Sequence, residues 1–520
     1  MTEAADLVLT NARVHTLSGD DGLAAGSEDS TPDAEAVAIR DGEVVGVGSA
    51  YDIDFLADVE TTVVDLDGAV VVPGFIDAHT HLESTGQYLV HADLSGAGSV
   101  DEVVETLRNE DGSRESNWLQ GFGWDESDWP EGRYLLKEDL DLVSEDQPVV
   151  AFRVDMHMAT LNSAALEQVR SDLPEADVQF DSGEPTGIIV EDAVGAVHET
   201  IGRGVAETRE LVTAARDRAL ELGVTCVHDK VRDSHAPRVY RELDLAGELD
   251  LRVRIDYWSD HFEALLETGL RTNHGSGLVQ TGGIKSFTDG SFGGRTAKLT
   301  ESYADGDGTG QWVVDPETLR EIVGRVDDAD LQMVTHAIGD AAIEETIAAY
   351  EETDDPGTSR HRIEHVELAS DDQIERMAKT GMVASCQPNF LQWAGDGGLY
   401  DQRLGESRRR ASNRFRDLLD SGVPLAFGSD SMPLGPLEGV HHAVNAPDKR
   451  QRLSVTEAMR AYTVGAAYAG FDEHRLGTIE AGKLADLVVL DQSPWDTADA
   501  IQEIDVVKTV VDGEIVYEQE

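Results

Sequence analysis

The chain has 520 residues, 102 of them acidic and 41 basic, a formal net charge of −61 with histidines neutral. A surface this negative repels phosphate backbones and anionic headgroups, because binding to them rests on Lys and Arg, so nucleic-acid and membrane-surface partners are excluded from the expectation. A 40% hydrophobic fraction with 50 glycines falls in the range of globular chains able to build a sizeable core. Only eight of the basic residues are lysines (Lys137, Lys230, Lys285, Lys298, Lys379, Lys449, Lys483 and Lys508). Abundant Asp and Glu with scarce Lys is the pattern of a halophilic protein whose self-repulsion is screened by molar salt, so the acidity is expected to reflect habitat rather than partner. The opening MTEAADLVLTNARV has no basic segment followed by an apolar one, and no run of 18 apolar residues occurs; the expected location is cytoplasmic. Two cysteines, Cys226 and Cys386, leave no disulfide framework.

Residues 6–72 read as short alternating strands separated by turns, including the Asp-Gly pair of AIRDGEVV, and predict a β-meander. The same grammar returns at 485–518, so both termini are expected to build one small β-sandwich domain, residues 1–72 with 476–520. From 73 to 475, apolar strand-like runs alternate with helical stretches at 317–329, 340–352 and 454–470. That alternation predicts an α/β fold of the (β/α)8 barrel type. Ten runs compete for eight barrel positions: GFIDAHTH, WLQGFGW, VVAFRVDMH, GVTCVHDK, LRVRIDYW, GGIKSFTDG, LQMVTHAIGD, RIEHV, GMVASCQP and PLAFGSD. At least two must therefore lie in an insertion or lid, expected within 95–222.

In PGFIDAHTHL, His79 and His81 stand two apart at the end of an apolar run, so on a strand both imidazoles face one side. Lys285, His336, His365 and Asp430 each follow an apolar stretch and precede a Gly- or Asp-containing turn, and the carboxyl ends of barrel strands are where such folds carry their active sites. Neutral imidazoles and carboxylates are the ligands a divalent ion such as Zn²⁺ takes, with a position left open for water. No GxSxG elbow is present, and neither cysteine has a catalytic motif around it. Lys230, after TCVHD, competes with Lys285 for a role at a metal and otherwise reads as a solvated loop charge.

Taken in order, HTH after PGFID, the strand-end lysine, the two later histidines, FGSD and the closing GTIEAGKLADLVVLD resemble the amidohydrolase superfamily of metal-dependent barrel hydrolases. The segments GWDESDW, RVDMHMATLNSAAL, IKSFTDGSFGGRTA, HAIGDAA, RIEHVE and SCQP resemble the branch that includes N-substituted formamide deformylase. The resemblance implies a centre of one or two divalent ions, zinc foremost, held by His79, His81, Lys285, His336, His365 and Asp430. Lys285 would be carboxylated by CO₂, since an ammonium has no lone pair to offer a cation. It implies Asp430 as the catalytic proton carrier, and Trp124, Asp125, Arg153, His157, Asn162, Asp289, Arg295 and Gln387 as substrate-binding residues. The expected activity is hydrolysis of a C–N bond in an amide, an N-substituted formamide or a cyclic amide, with association of like subunits left open. A mononuclear aminohydrolase on the same fold, which needs no lysine ligand, and a non-catalytic binding barrel are the alternatives.

Overall fold

In the computed structural model, residues 4–19, 31–109, 117–154, 158–202 and 204–519 are described. Eight of the ten candidate runs become a parallel sheet in chain order: β1 (Phe75–Thr80), β2 (Val224–Val231), β3 (Arg252–Trp258), β4 (Val279–Phe287), β5 (Met333–Ala337), β6 (Arg362–His365), β7 (Val383–Cys386) and β8 (Leu425–Phe427). Each strand pairs with its sequence neighbour, the pattern of a nearly closed barrel. The seam between β8 and β1 is drawn together just past the end of β8. There Ser429 N donates to Asp77 Oδ1 (3.0 Å) and Asp430 N donates to the His79 carbonyl (2.7 Å). Gly428 permits this approach, because a Cβ there would lie 2.3 Å from His79 N.

The helices between these strands follow their sequence signals. Asp315 caps Pro316–Asp327 by accepting from Glu317 N and Thr318 N, and Ser370 and Gln373 form a reciprocal capping box at the start of Asp371–Thr380. The stretch predicted as one helix over 454–470 is instead α-helical at Val455–Arg460, one π turn at Ala461–Gly465 and α-helical again at Ala466–Ala469. Gly465 in that turn lies against β8, where a Cβ would meet the Leu425 carbonyl at 2.2 Å.

The terminal segments build two sheets. One holds Glu43–Gly48, Ala36–Arg40, Leu7–Thr10 and Thr62–Asp65 in that order; the other holds Arg13–Val14, Val70–Pro73, Leu487–Leu490, Val506–Val511 and Glu514–Glu518. Both termini thus share a sheet, and Leu9, Val37 and Ile39 of the first join Val71, Leu487 and Val510 of the second in one apolar cluster. The expected meander is corrected in its pairing. Asp41 and Gly42, both at positive φ, make the predicted hairpin turn, but Leu7–Thr10 runs parallel to Thr62–Asp65, and the strands at 13–14 and 70–73 leave for the second sheet. Alternation identifies strands; it does not choose their partners.

The remaining two runs lie elsewhere. The described chain divides into two compact units, one comprising residues 1–81, 216–232 and 240–520, the other 82–215 with 233–239. The second unit carries a six-stranded sheet that includes Leu119–Trp124 and Val149–Arg153. Its two faces are legible in the period-two alternation: Val150 and Phe152 enter one apolar cluster, Val149 and Ala151 the other. Among the described residues no helix is long and apolar enough to cross a membrane.

Candidate metal centre

Within the first unit, β1 and the turn after β8 bring three donor atoms together. His79 Nε2 lies 3.4 Å and His81 Nε2 3.3 Å from Asp430 Oδ1. The three groups form a cluster whose ligand atoms all lie within 4.8 Å of one another. Asp430 and Ser431 adopt positive φ (56° and 59°), which turns the chain back onto β1. Ser431 Oγ accepts from His81 N (3.0 Å) and donates to the His81 carbonyl (3.1 Å), fixing that turn.

The other ring nitrogens explain why the cluster suits a cation. His79 Nδ1 is 2.5 Å from Glu364 Oε2, and His81 Nδ1 is 3.1 Å from the Lys230 carbonyl. An ionised carboxylate and a carbonyl only accept, so both rings carry a proton on Nδ1 and turn Nε2 toward the carboxylate of Asp430. Burial, with Lys285 and Lys230 nearby, holds the His79 pKa well below the ordinary histidine value and keeps the ring neutral. Two imidazole nitrogens and a carboxylate oxygen converging on one point is an arrangement that a divalent ion satisfies.

His336 and His365 extend the cluster. The His365 ring centroid is 5.0 Å from that of His79 and 4.3 Å from that of His336, which stacks on Phe287. His336 Nε2 meets the Gly290 carbonyl at 3.0 Å, which puts the lone pair of the neutral ring on Nδ1. Burial lowers its pKa to about 3. Burial also lowers the pKa of His365, whose Nδ1 has no hydrogen-bond partner among the described residues. Lys285 on β4 is fully buried; its Nζ lies 4.8 Å from the centroid of the Phe287 ring and has no hydrogen-bond partner among the described residues. Burial brings its pKa down to about 8 against the opposing pull of Glu364. Buried polar groups without partners carry a desolvation cost. Here they sit among neutral imidazoles, and the set fits a metal centre.

Lys230 is placed differently from both of its expected roles. It lies inside β2, fully buried, and Nζ donates to Asp256 Oδ2 (2.6 Å) and to the carbonyls of Ala78 (3.0 Å) and His228 (3.3 Å). Its charge is balanced within the barrel wall. Sequence reasoning passed over the groups that hold the centre: Asp77, which accepts from His79 N and Ser429 N while burial raises its pKa to about 6; Glu364; and Arg362. Their signal was charged residues two apart in apolar strands, as in FIDAH, CVHDK, VRID and RIEH.

The residues expected to bind substrate divide. Gln387, buried after β7, leaves Oε1 unpartnered among the described residues. Asp289 instead accepts from the backbone N–H groups of Lys298, Gly339 and Ile338 (2.7, 2.9 and 3.0 Å), so its carboxylate organises the loops after β4 and β5. Arg295 is half exposed and paired with Asp305 (2.8 Å). In the second unit, Trp124 is wholly buried and donates to the Ala151 carbonyl (3.0 Å), which makes it a core residue rather than a pocket wall. Asn162 caps the helix Ser163–Val169; Oδ1 accepts from Val149 N and Ala165 N while Nδ2 donates to the Ser144 and Gln147 carbonyls. Nothing of that amide is left for a ligand. Asp125 caps the turn Glu126–Asp128 and, with Glu126, pairs with Arg153. His157 lies outside the described residues.

The sequence pattern of the amidohydrolase family matches residues 62–517. The chain belongs to the amidohydrolase family. This amidohydrolase is 32% identical to Protein LONG AFTER FAR-RED 3 of Arabidopsis thaliana, over 99% of its own length and 92% of the relative's. It is 28% identical to the N-substituted formamide deformylase of Arthrobacter pascens, over 100% and 99% of the two chains. Its fold superposes with a TM-score of 0.80 on an uncharacterized metal-dependent hydrolase from Pyrococcus furiosus, at 30% identity over 94% and 99% of the chains.

Proposed function

We propose that this amidohydrolase hydrolyses the C–N bond of a small amide, N-substituted formamide or cyclic amide at a divalent metal centre, with zinc the first ion to test. The observation that carries the reading is the convergence of His79 Nε2, His81 Nε2 and Asp430 Oδ1, with both imidazoles set to offer lone pairs. Similarity to the formamide deformylase supports the bond class. A bound divalent ion polarises the substrate carbonyl and brings the pKa of water toward neutrality.

The chain supplies the rest. Asp430, part-buried and held by its backbone bond to His79, takes the proton that water releases as its oxygen bonds to the carbonyl carbon. It passes that proton to the nitrogen as the C–N bond breaks, giving an acid and an amine, which stay in one ring-opened molecule when the amide is cyclic. Lys285, partly neutral at physiological pH, adds CO₂ through Nζ with loss of one proton. The resulting carbamate is the anionic oxygen ligand that an ammonium cannot be. His336 and His365 then complete a second set of donors, and Gln387 contacts the substrate.

Elemental analysis of protein purified with zinc and bicarbonate is expected to give about two equivalents per chain, falling below one in Lys285→Ala. Asp430→Asn is expected to keep most of the metal and lose about 10² to 10⁴ in turnover of an N-formyl or N-acyl amine. Parental turnover in Asp430→Asn, or no turnover of any amide by metal-replete protein in molar KCl, would overturn the reading.

A further inference from the structure

Beneath the centre, Glu364 and Arg362 are both fully buried, and neither is free to choose its orientation. Arg362 donates from Nε to Glu364 Oε1 (2.9 Å), from one terminal nitrogen to the Ala78 carbonyl (2.6 Å) and Ser385 Oγ (3.0 Å), and from the other to His228 Nδ1 (2.8 Å). A guanidinium only donates. Every atom facing Arg362 must therefore accept, and Glu364 is locked with one oxygen on Arg362 and the other on His79 Nδ1.

We propose that Glu364 is the positioning residue that fixes His79 in the Nδ1–H tautomer, and that Arg362 dictates which way Glu364 faces. Through these two residues the barrel interior presents the Nε2 lone pair of His79 to the centre. The proposal rests on the metal-centre reading for its consequence, but the tautomer itself is a property of the metal-free chain. Outer groups that orient a ligating imidazole are worth roughly 10- to 100-fold in metal affinity.

Glu364→Gln separates orientation from mere packing. The amide has nearly the shape of the carboxylate but one accepting and one donating end. Arg362 requires the accepting oxygen, so the NH₂ is turned toward His79 Nδ1. The ring then accepts at Nδ1 and carries its proton on Nε2, with no lone pair left for a cation. Glu364→Asp keeps two accepting oxygens and with them the original tautomer.

The test is ¹⁵N spectroscopy of histidine-labelled, metal-free protein near pH 7, with the His79 signals assigned by their loss in His79→Asn. Zinc titration against a chromophoric chelator accompanies it. The parent and Glu364→Asp are expected to show protonated Nδ1 and bare Nε2 at His79, Glu364→Gln the reverse. Zinc affinity should fall about 10- to 100-fold in Glu364→Gln and stay nearer the parent in Glu364→Asp. A parent His79 protonated on Nε2, a Glu364→Gln protein with the parental tautomer, or equal affinities in all three would overturn the proposal. The parental spectrum decides even if the variant does not fold. A parent with the expected tautomer that turns over no amide would instead remove the functional reading and leave this one standing.

Discussion

Lys285 offers the most quantitative test of the centre. Burial moves its pKa from the ordinary 10.5 to about 8, which disfavours the ammonium by about 3 kcal/mol. At pH 7 about one molecule in ten then carries a neutral amine there, against about one in 3,000 for an exposed lysine. Only the neutral amine adds CO₂, so at fixed dissolved CO₂ the rate of carbamate formation in metal-free protein should rise about tenfold per pH unit below pH 7, about fivefold from pH 7 to 8, and level off by about pH 9. The assay is uptake of ¹³C-labelled CO₂ followed by its carbamate carbon signal, with Lys285→Arg as the blank. Linkage gives a second readout. Because the folded pKa lies below the unfolded one, the unfolded chain binds more protons between pH 8 and 10.5, so this site adds stability as pH rises through that window and adds none below it. A rate that keeps climbing to pH 10, or a label that persists in Lys285→Arg, would refute the reasoning.

Three other outcomes follow from the packing. Arg252 makes a buried two-bond pair with Asp486 (2.7 and 2.9 Å) that ties β3 to the terminal sheet. Asp486→Ala, which removes both of these bonds and leaves the guanidinium to Asp512 and the Gly277 carbonyl, should cost about 1.5 to 3 kcal/mol in urea unfolding, and a loss under about 1 kcal/mol would contradict that role. Gly428→Ala should force the seam apart at a cost of about 1 to 3 kcal/mol and weaken zinc binding with it, since the added carbon meets His79 N at 2.3 Å; a parental melting point and zinc affinity would show that the seam yields freely. With −61 charges, the melting midpoint should rise with KCl as the Debye length shrinks from about 30 Å at 0.01 M to about 3 Å at 1 M, and a midpoint unmoved from about 0.05 M to about 2 M would separate the acidity from salt.

Strand identity and strand-end chemistry were legible because a barrel strand writes its own grammar: an apolar run, a polar tip, a turn. His79, His81 and Asp430 could be found that way, and the structure brings them together. The interior polar layer was harder to see. Arg362 and Glu364 stand two apart on one strand and pair along it, but only the closed ring shows that Lys230 answers Asp256 on the next strand and that the other oxygen of Glu364 meets His79. Asn162 and Asp289 misled in the opposite direction. A polar side chain within a family motif reads as ligand-binding, yet these two spend their hydrogen bonds on backbone groups, Asn162 as the cap of its own helix and on Val149, Asp289 on Ile338 and Gly339. Sheet partnership among the terminal strands was likewise invisible, since alternation is the same whichever strand lies alongside.

The three clustered donors, His79, His81 and Asp430, come from the ends of the two strands that meet at the barrel's seam. His81 and Ser431, joined by hydrogen bonds in both directions, are 350 residues apart in sequence, so a cation held by His79, His81 and Asp430 would act as a rivet across the last gap to close. A nascent chain that has exposed only its first strand owns the two imidazoles but no site. Capture of such a cation would therefore report completion of the ring, and it would stabilise the folded chain with the logarithm of the ion's excess over its dissociation constant. Starvation for the ion should then loosen the barrel first along this line rather than uniformly, and amide exchange at Ser429 and Asp430 would be the earliest to quicken.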